Sequence, residues 1–139
     1  MPSIARPLLV AVYTKLDTDP GLTGLGAAVL DEVPEPRPTP YVLLGEVDEI
    51  PAEAHDRDGV TATLTLHVWS RYRGYAEAAR IADALDAALH RRPLAVTGWQ
   101  KVSVAAAART YMRDPDPQLR HCVARYRVWA EQQPPAEDD

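Results

Sequence analysis

The chain has 139 residues, with 46% apolar and 25% charged residues, which are ordinary values for a single globular domain. Its formal net charge of −5 argues against a protein that coats nucleic acid, because such a protein needs a basic surface to neutralise phosphates. The single cysteine, Cys122, excludes an internal disulfide and a multi-cysteine metal site.

The N-terminal region does not resemble a targeting segment. Arg6 and Pro7 interrupt the apolar residues between Ile4 and Val12, and no small-residue cleavage site follows. No run of about 18 apolar residues occurs, so we expect no membrane-spanning helix. We expect one domain over residues 1–132 that folds in the cytoplasm, followed by a flexible acidic tail over residues 133–139.

The first elements in chain order are one helix and one short strand. Ser3 can cap a helix that runs to about Leu16, and Pro7 is tolerated if it lies in the first turn. Residues 27–33 predict a short strand. Prolines at every second position of residues 34–40 then predict an extended connector.

A second strand and a loop follow the connector. Residues 41–49, which begin with the apolar run Tyr41-Val42-Leu43-Leu44, predict a strand. The polar segment 50–59 contains a proline and lies between two strands, so it predicts a long, mobile hairpin loop.

The stretch from residue 59 to residue 92 carries the clearest pattern. Apolar and polar residues alternate over residues 60–69, which predicts a strand with one buried face. From about Gly74 to Arg91 the apolar residues recur every three or four positions, which predicts an amphipathic helix. The two elements are joined by an aromatic and basic corner, residues 69–74.

The last third of the chain predicts two further strands. The first begins at about Leu94 and continues through four alanines, residues 105–108, although alanine locally favours helix. Residues 113–117 have the composition of a turn, and residues 119–130 alternate as a strand. We therefore predict an α+β fold, with an antiparallel β-sheet of about four to five strands and two helices packed on one face.

No group of residues in the sequence forms a recognisable catalytic, cofactor or metal site. The acidic segment 48–58 lacks the spacing of a calcium loop, and Asp114 and Asp116 alternate with prolines as in a turn. His67 and His121 lie on polar strand faces without a cysteine partner spaced for zinc. His90 ends a helix, where a cation suits the helix dipole, and Cys122 falls on the buried parity of its strand. We expect no enzyme activity and no cofactor.

Arginine and aromatic residues at strand ends give the one candidate site, an interface with another protein. Trp, Tyr and Arg are enriched at protein interfaces. Two interpretations stand: these residues form an interface, or the aromatic rings pack beneath the helices while the arginines are solvated. The candidates are Trp69, Arg71, Tyr72, Arg73, Arg125, Arg127 and Trp129, and Trp99 shares their pattern.

Several short sequence motifs resemble those of the tail-completion, or tail-terminator, proteins of long-tailed bacteriophages and related prophage elements. The motif His-Val-Trp-Ser at residues 67–70, which precedes the alanine-rich helix, is the most specific of them. The resemblance covers roughly Leu8 to Trp129. Its other parts are Pro40-Tyr41-Val42, Gly45-Glu46, Ile81-Ala82-Asp83-Ala84-Leu85, Ala88-Leu89-His90 and Asp114-Pro115-Asp116.

This resemblance implies a structural protein of the virion, made in the bacterial cytoplasm and without an active site. Such proteins are similar to α+β subunits that form a ring, commonly a hexamer, at the head-proximal end of the tail tube. The ring stops tube polymerisation and contacts a neck or head-completion protein, and DNA passes through its lumen. The proline run at residues 34–40, the four alanines and the acidic tail depart from the family pattern.

Two other functions remain open from the residues alone. One is a monomeric adaptor without a virion role. The other is a small-molecule-binding domain or enzyme that uses the loop from Asp48 to Asp58, which would need a pocket with convergent carboxylates.

Overall fold

A computed structural model describes residues 2–32, 38–52, 58–71 and 73–134. The predicted order of helices and strands is confirmed, with one further short helix, α2, between the first helix and the first strand. The elements are α1 (Ala5–Asp17), α2 (Pro20–Gly24), β1 (Ala28–Leu30), β2 (Tyr41–Pro51), β3 (Gly59–Ser70), α3 (Ala76–Leu89), β4 (Trp99–Arg113) and β5 (Arg120–Gln132).

The strands form a five-stranded sheet in the order β1-β2-β3-β5-β4. Four strands pair antiparallel, whereas β1 pairs parallel to β2. The predicted α+β fold is therefore confirmed, but the sheet is mixed rather than antiparallel throughout. The register shows this directly: Ala28 pairs with Tyr41 and Leu30 with Leu43, so β2 runs in the same direction as β1.

The core lies between one face of the sheet and the two long helices. Even-numbered residues of β3, such as Leu64 and Leu66, are fully buried against this layer. The helix α1 contributes Leu8, Val12 and Leu16, and it packs over β1 and β2, whereas α3 packs over β3, β4 and β5. The prediction of two helices on one face is thus confirmed, and no helix of the described residues lies on the opposite face.

The helix α3 buries the apolar stripe that its sequence predicts. It is shorter than predicted, because His90 is already extended and the chain turns there towards β4. The Nδ1 atom of His90 accepts a hydrogen bond from the backbone N–H of Ala106 at 2.9 Å. This bond ties the residue that caps the C-terminus of α3 to β4. The buried residues of α3 are Ala78, Ile81, Ala82, Leu85, Ala88 and Leu89.

The N-terminus of α1 is held by the neighbouring strand as well as by Ser3. Ile4, not Ser3, occupies the cap position, and Pro7 lies in the first turn as predicted. The Ser3 hydroxyl accepts a hydrogen bond from the backbone N–H of Ala5 at 3.2 Å and donates one to the Glu49 carboxylate. Glu49 also accepts from the backbone N–H of Ile4 at 3.2 Å, so a carboxylate of β2 faces the positive end of the helix dipole.

Two strand boundaries differ from those that the sequence predicts. The strand β2 continues to Pro51, because its last residues pair with the start of β3, so the hairpin connection is shorter than predicted. Residues 53–57 of the predicted loop lie outside the described residues. The strand β4 begins at Trp99 rather than at Leu94, and the four alanines lie within β4 as predicted. None of the helices in the described part of the chain is long and apolar enough to cross a membrane.

Candidate interaction surface

The sheet face that lies opposite the helices carries most of the candidate interface residues. We call it the open face. In β3 and β5 it consists of the residues whose side chains alternate with those of the core, and the register places them side by side; Thr65 and Val123 of this set are themselves buried. These residues are Thr61, Thr63, Thr65, His67, Trp69, His121, Val123, Arg125, Arg127 and Trp129.

At one end of the open face, Trp69 belongs to a connected group of side chains, which we call the Trp69 cluster: Glu46, His67, Trp69 and His121. The rings of Trp69 and His121 stack with centroids 3.9 Å apart and planes 8° from parallel. The Nδ1 atom of His67 lies 2.8 Å from the Nε2 atom of His121, and His67 Nε2 lies 3.0 Å from Glu46 Oε2. The sequence predicted that both histidines lie on polar strand faces. Only the register, which pairs Trp69 with His121, shows that His67 and His121 are neighbours.

The hydrogen bonds of the Trp69 cluster restrict its protonation. Glu46 accepts a hydrogen bond from His67 Nε2, and in the bond between His67 Nδ1 and His121 Nε2 one nitrogen must donate and the other accept. Two protonated histidines could not form their mutual hydrogen bond, because both nitrogens would be donors. Burial, followed by the charge of His67, lowers the pKa of His121. A backbone hydrogen bond at Glu46 itself, and then the bond from His67, lower the pKa of the Glu46 carboxyl. The cluster therefore favours a neutral His121 beside an ionised Glu46.

A glycine in β2 makes room for the Trp69 cluster. A Cβ atom at Gly45 would lie 2.7 Å from His67 Cδ2 and 2.8 Å from the backbone oxygen of Thr65. Both distances are shorter than real Cβ contacts, and one of them involves backbone that cannot move aside cheaply. Gly45 thus allows the His67 ring to lie flat across β2, where it meets Glu46.

The corner that follows β3 contacts the turn between β4 and β5. The exposed guanidinium of Arg71 donates to Gln118 Oε1 at 3.2 Å and lies 3.7 Å from Asp116 Oδ2. Asp114 and Asp116 each accept a hydrogen bond from a backbone N–H two residues ahead, so they build the predicted turn. Arg73 is exposed, and Tyr72 lies outside the described residues.

The remaining candidates follow along β5. Arg125 and Arg127 are exposed, and Trp129 is half-buried between Thr61 of β3 and Ser103 of β4. Trp69 pairs with His121, and His121 and Trp129 are eight positions apart in β5, roughly 27 Å. Arg125 lies midway between them, so the described candidates extend along the face from Trp69 at one end to Trp129 at the other.

Trp99 does not belong to this surface. Its side chain is 5% exposed and lies in the hydrophobic core. For this residue the interpretation as packed core is correct, and the interface interpretation is wrong.

A second polar network lies between the sheet and α3, on the helix side. Arg109 of β4 reaches Asp83 at 2.8 Å and Asp86 at 2.9 Å, and the buried Tyr126 hydroxyl donates to Asp86. Burial, followed by the hydrogen bond to Asp86, raises the pKa of Tyr126. Burial would lower the pKa of Arg109, but its hydrogen bonds to Asp83, Tyr111 and Asp86 raise it. The charged groups of this network lie next to groups of opposite charge. The network is therefore suited to stabilising the packing of α3 on the sheet rather than to proton transfer.

Metal-binding groups are not assembled in the described part of the chain. Within residues 2–32, 38–52, 58–71 and 73–134, no group of three or more His, Cys, Asp or Glu side chains could hold a metal ion. Cys122 is fully buried, as predicted from its parity, and burial raises the pKa of its thiol. The open face is thus the feature of these residues that is best suited to a function.

Comparison with known proteins identifies a family and a structural relative. The model of the family described as tail completion protein gp17 matches residues 10–131. A solved structure described as the virion of a native gene transfer agent (GTA) particle contains a chain of the same fold, with a TM-score of 0.85 and 28% sequence identity. The similarity covers 94% of this chain and 99% of that chain. No curated protein sequence matches the chain.

The family match extends from α1 to the end of β5 and so includes both ends of the open face. It agrees with the resemblance seen in the sequence and with the structural similarity to a virion component. The chain therefore belongs to the tail completion protein gp17 family, whose members have a structural role in phage tails.

Proposed function

We propose that the protein is the subunit of a ring that caps the head-proximal end of a tail tube, stops its polymerisation and joins the tail to the neck. Membership of the tail completion family and the similarity to a virion component support a structural, non-enzymatic role in the tail. The observation that carries the proposal is the open face, where aromatic and basic side chains lie on the side of the sheet opposite the helices.

A terminator needs two different surfaces. One surface must bind the last ring of the tube. The other must not bind a further tube subunit and must bind the neck protein instead. The two ends of the open face, at Trp69 and Trp129, are about 27 Å apart, a distance that permits contacts with two partners. The Trp69 cluster with Arg71 forms one contact region, Arg127 and Trp129 form the other, and Arg125 lies between them.

The ring is a homo-oligomer, commonly of six subunits in similar proteins, and it assembles on the tail. A ring requires a heterologous interface, in which two different patches of the same chain meet and the rotation closes. DNA passes through the lumen without being read. The partners are the tail-tube protein on one side and a neck or head-completion protein on the other.

Electron microscopy of purified tail tubes mixed with the protein tests the proposal. We expect one ring-shaped cap at one end of each tube, and tube protein added later should no longer extend the capped end. Light scattering over a concentration series, with and without tubes, gives the mass of the assembly. A protein that stays monomeric and leaves tube growth unchanged would contradict the proposal and favour the monomeric adaptor.

A further inference from the structure

A groove of about 600 Å³ lies between α1 and the segment that connects α3 to β4. Its apolar wall includes Val10, whose side chain is 52% exposed, and the facing Leu94. An apolar groove of this size is large enough to receive a side chain from a partner. It is lined by Arg6, Pro7, Val10, Ala11, Thr14, Lys15, Pro93, Leu94, Ala95 and Thr97.

The rim of this groove is basic. Arg6 lines it and is exposed, and within the described ranges its guanidinium takes part in no ion pair. Lys15 donates a hydrogen bond through Nζ to the backbone oxygen of Pro93 at 2.7 Å, which ties the two walls together. Arg91 and Arg92 directly precede Pro93 and are exposed. A partner that enters the groove should therefore combine an apolar side chain with acidic neighbours.

The protein itself carries such a projection at the end of β2. Ile50 is 66% exposed, which makes it the most exposed large apolar side chain among the described residues. It pairs with Thr61 on the open face, and the exposed carboxylates Asp48 and Asp58 lie near it. Ile50 thus has the apolar and acidic character that the groove would select.

We propose that Ile50 of one copy inserts into the groove of α1 on a second copy, with the carboxylates of the first facing the basic rim of the second. One molecule cannot make this contact with itself, because Ile50 lies on the open face and the groove lies on the helix side of the sheet. The two patches differ, so the interface is heterologous and joins copies head to tail. This inference rests on the proposed ring and supplies the contact between its subunits.

Disulfide trapping tests the contact directly. The Ile50→Cys and Val10→Cys variants are mixed in the presence of tail tubes and then oxidised. The native Cys122 is fully buried, so it does not form disulfides with the introduced cysteines. We expect disulfide-linked dimers only when both variants are present. Tyr13→Cys serves as the matched control for Val10→Cys, because Tyr13 is exposed on α1 and does not line the groove. Its cross-linking should be lower by roughly tenfold or more.

A second measurement removes the apolar contact without touching the core. Ile50→Asp should weaken self-association by roughly tenfold or more, because it puts a charge into an apolar groove, and it should leave the thermal midpoint unchanged. Unchanged self-association of Ile50→Asp, or cross-linking of Val10→Cys to tube protein instead of Ile50→Cys, would overturn the proposal.

The two readouts separate this inference from the proposed function. Capped tubes without a link between residues 10 and 50 would refute the contact and leave the terminator role intact. A link between these residues in copies that fail to cap tubes would support the contact and refute the terminator role.

Discussion

Asp86 shows how a single carboxylate holds a helix on the sheet. It lies on α3, accepts a hydrogen bond from the buried Tyr126 hydroxyl and pairs with Arg109 at 2.9 Å. Asp86→Ala leaves the Tyr126 hydroxyl buried without this partner, which we expect to lower the free energy of unfolding by about 1–3 kcal/mol. Urea denaturation measures the change.

The matched control for this prediction is Asp83→Ala. Asp83 also pairs with Arg109, at 2.8 Å, but its side chain is 69% exposed. Solvent screens an exposed pair, so its loss should cost only about 0–1 kcal/mol. Equal costs for the two substitutions would show that the Tyr126 hydrogen bond contributes little.

His121 gives the protein a dependence on pH. Because burial and His67 lower its pKa in the folded state, the unfolded chain binds a proton at His121 more readily than the folded chain does. The folded state therefore loses stability as the pH falls below the ordinary histidine value of 6.5 and on through the lowered pKa. The ionised Glu46 adds a loss in the same direction at lower pH, since its pKa is also lowered.

His121→Phe tests this dependence, because phenylalanine can still stack on Trp69 but does not titrate. We expect the free energy of unfolding of the variant to fall less steeply than that of the wild type between about pH 6.5 and pH 5. Urea denaturation at a series of pH values provides the slopes. Parallel slopes in the two proteins would assign the acid sensitivity to other groups.

At the scale of the elements, the register between β2 and β3 shifts between Leu44 and Val47, beside the Trp69 cluster. Gly45 lies at this bulge, directly against His67. Gly45→Ala should lower the free energy of unfolding by about 1–3 kcal/mol, because the new methyl group overlaps the ring and the Thr65 backbone. The histidine resonances in NMR spectra should report the displacement of His67.

Gly24→Ala is the matched control for the bulge. A Cβ atom at Gly24 would meet no atom within 4 Å, and the residue lies in the short helix α2. Alanine there should be neutral or stabilise the protein by up to about 1 kcal/mol, since it restricts the unfolded chain. If Gly45→Ala were as harmless as Gly24→Ala, the close packing of His67 against β2 would not constrain the strand.

The strand β4 shows how tertiary contacts override local preference. Its four alanines favour helix when taken alone, yet they extend beside β5 with a bulge between Ala106 and Ala108. His90 and Arg91 from the end of α3 bind the edge of β4 through Ala106 and Val104. Pairing with β5 and these edge contacts outweigh the propensity of a short alanine run.

At the scale of the whole molecule, the helices occupy one layer and leave the open face for partners. Trp69→Ala combined with Arg71→Ala removes the half-buried ring and the exposed guanidinium at one end of this face. We expect a folded protein whose binding to tail tubes is weaker by roughly tenfold or more, as for other interface anchors. Circular dichroism verifies folding, and sedimentation with tubes measures binding.

Tyr13→Ala controls for the loss of an exposed aromatic residue elsewhere. Tyr13 is 38% exposed on α1, in the layer opposite the open face. Its substitution should leave tube binding unchanged. If the double variant bound tubes as tightly as Tyr13→Ala, the Trp69 end of the open face would be excluded from the tube contact.

Local patterns in the sequence were sufficient by themselves to predict most of the helices and strands. Alternation over residues 60–69 and the three-to-four spacing in α3 are properties of neighbouring residues, so the strand, the helix and the buried position of Cys122 followed from them. The motif at residues 67–70 likewise pointed to the tail completion family, and the match of the family model confirms this resemblance.

Only the tertiary structure decided which distant residues meet. The parallel placement of β1, the pairing of Trp69 with His121 and the reach of Glu49 to α1 depend on sheet order and register. It also showed that Trp69 and Trp129 lie at opposite ends of one face. Periodicity shows which side of a strand is buried. It does not show which residue of a distant strand lies opposite, because the register between two strands is set by the packing of the whole core.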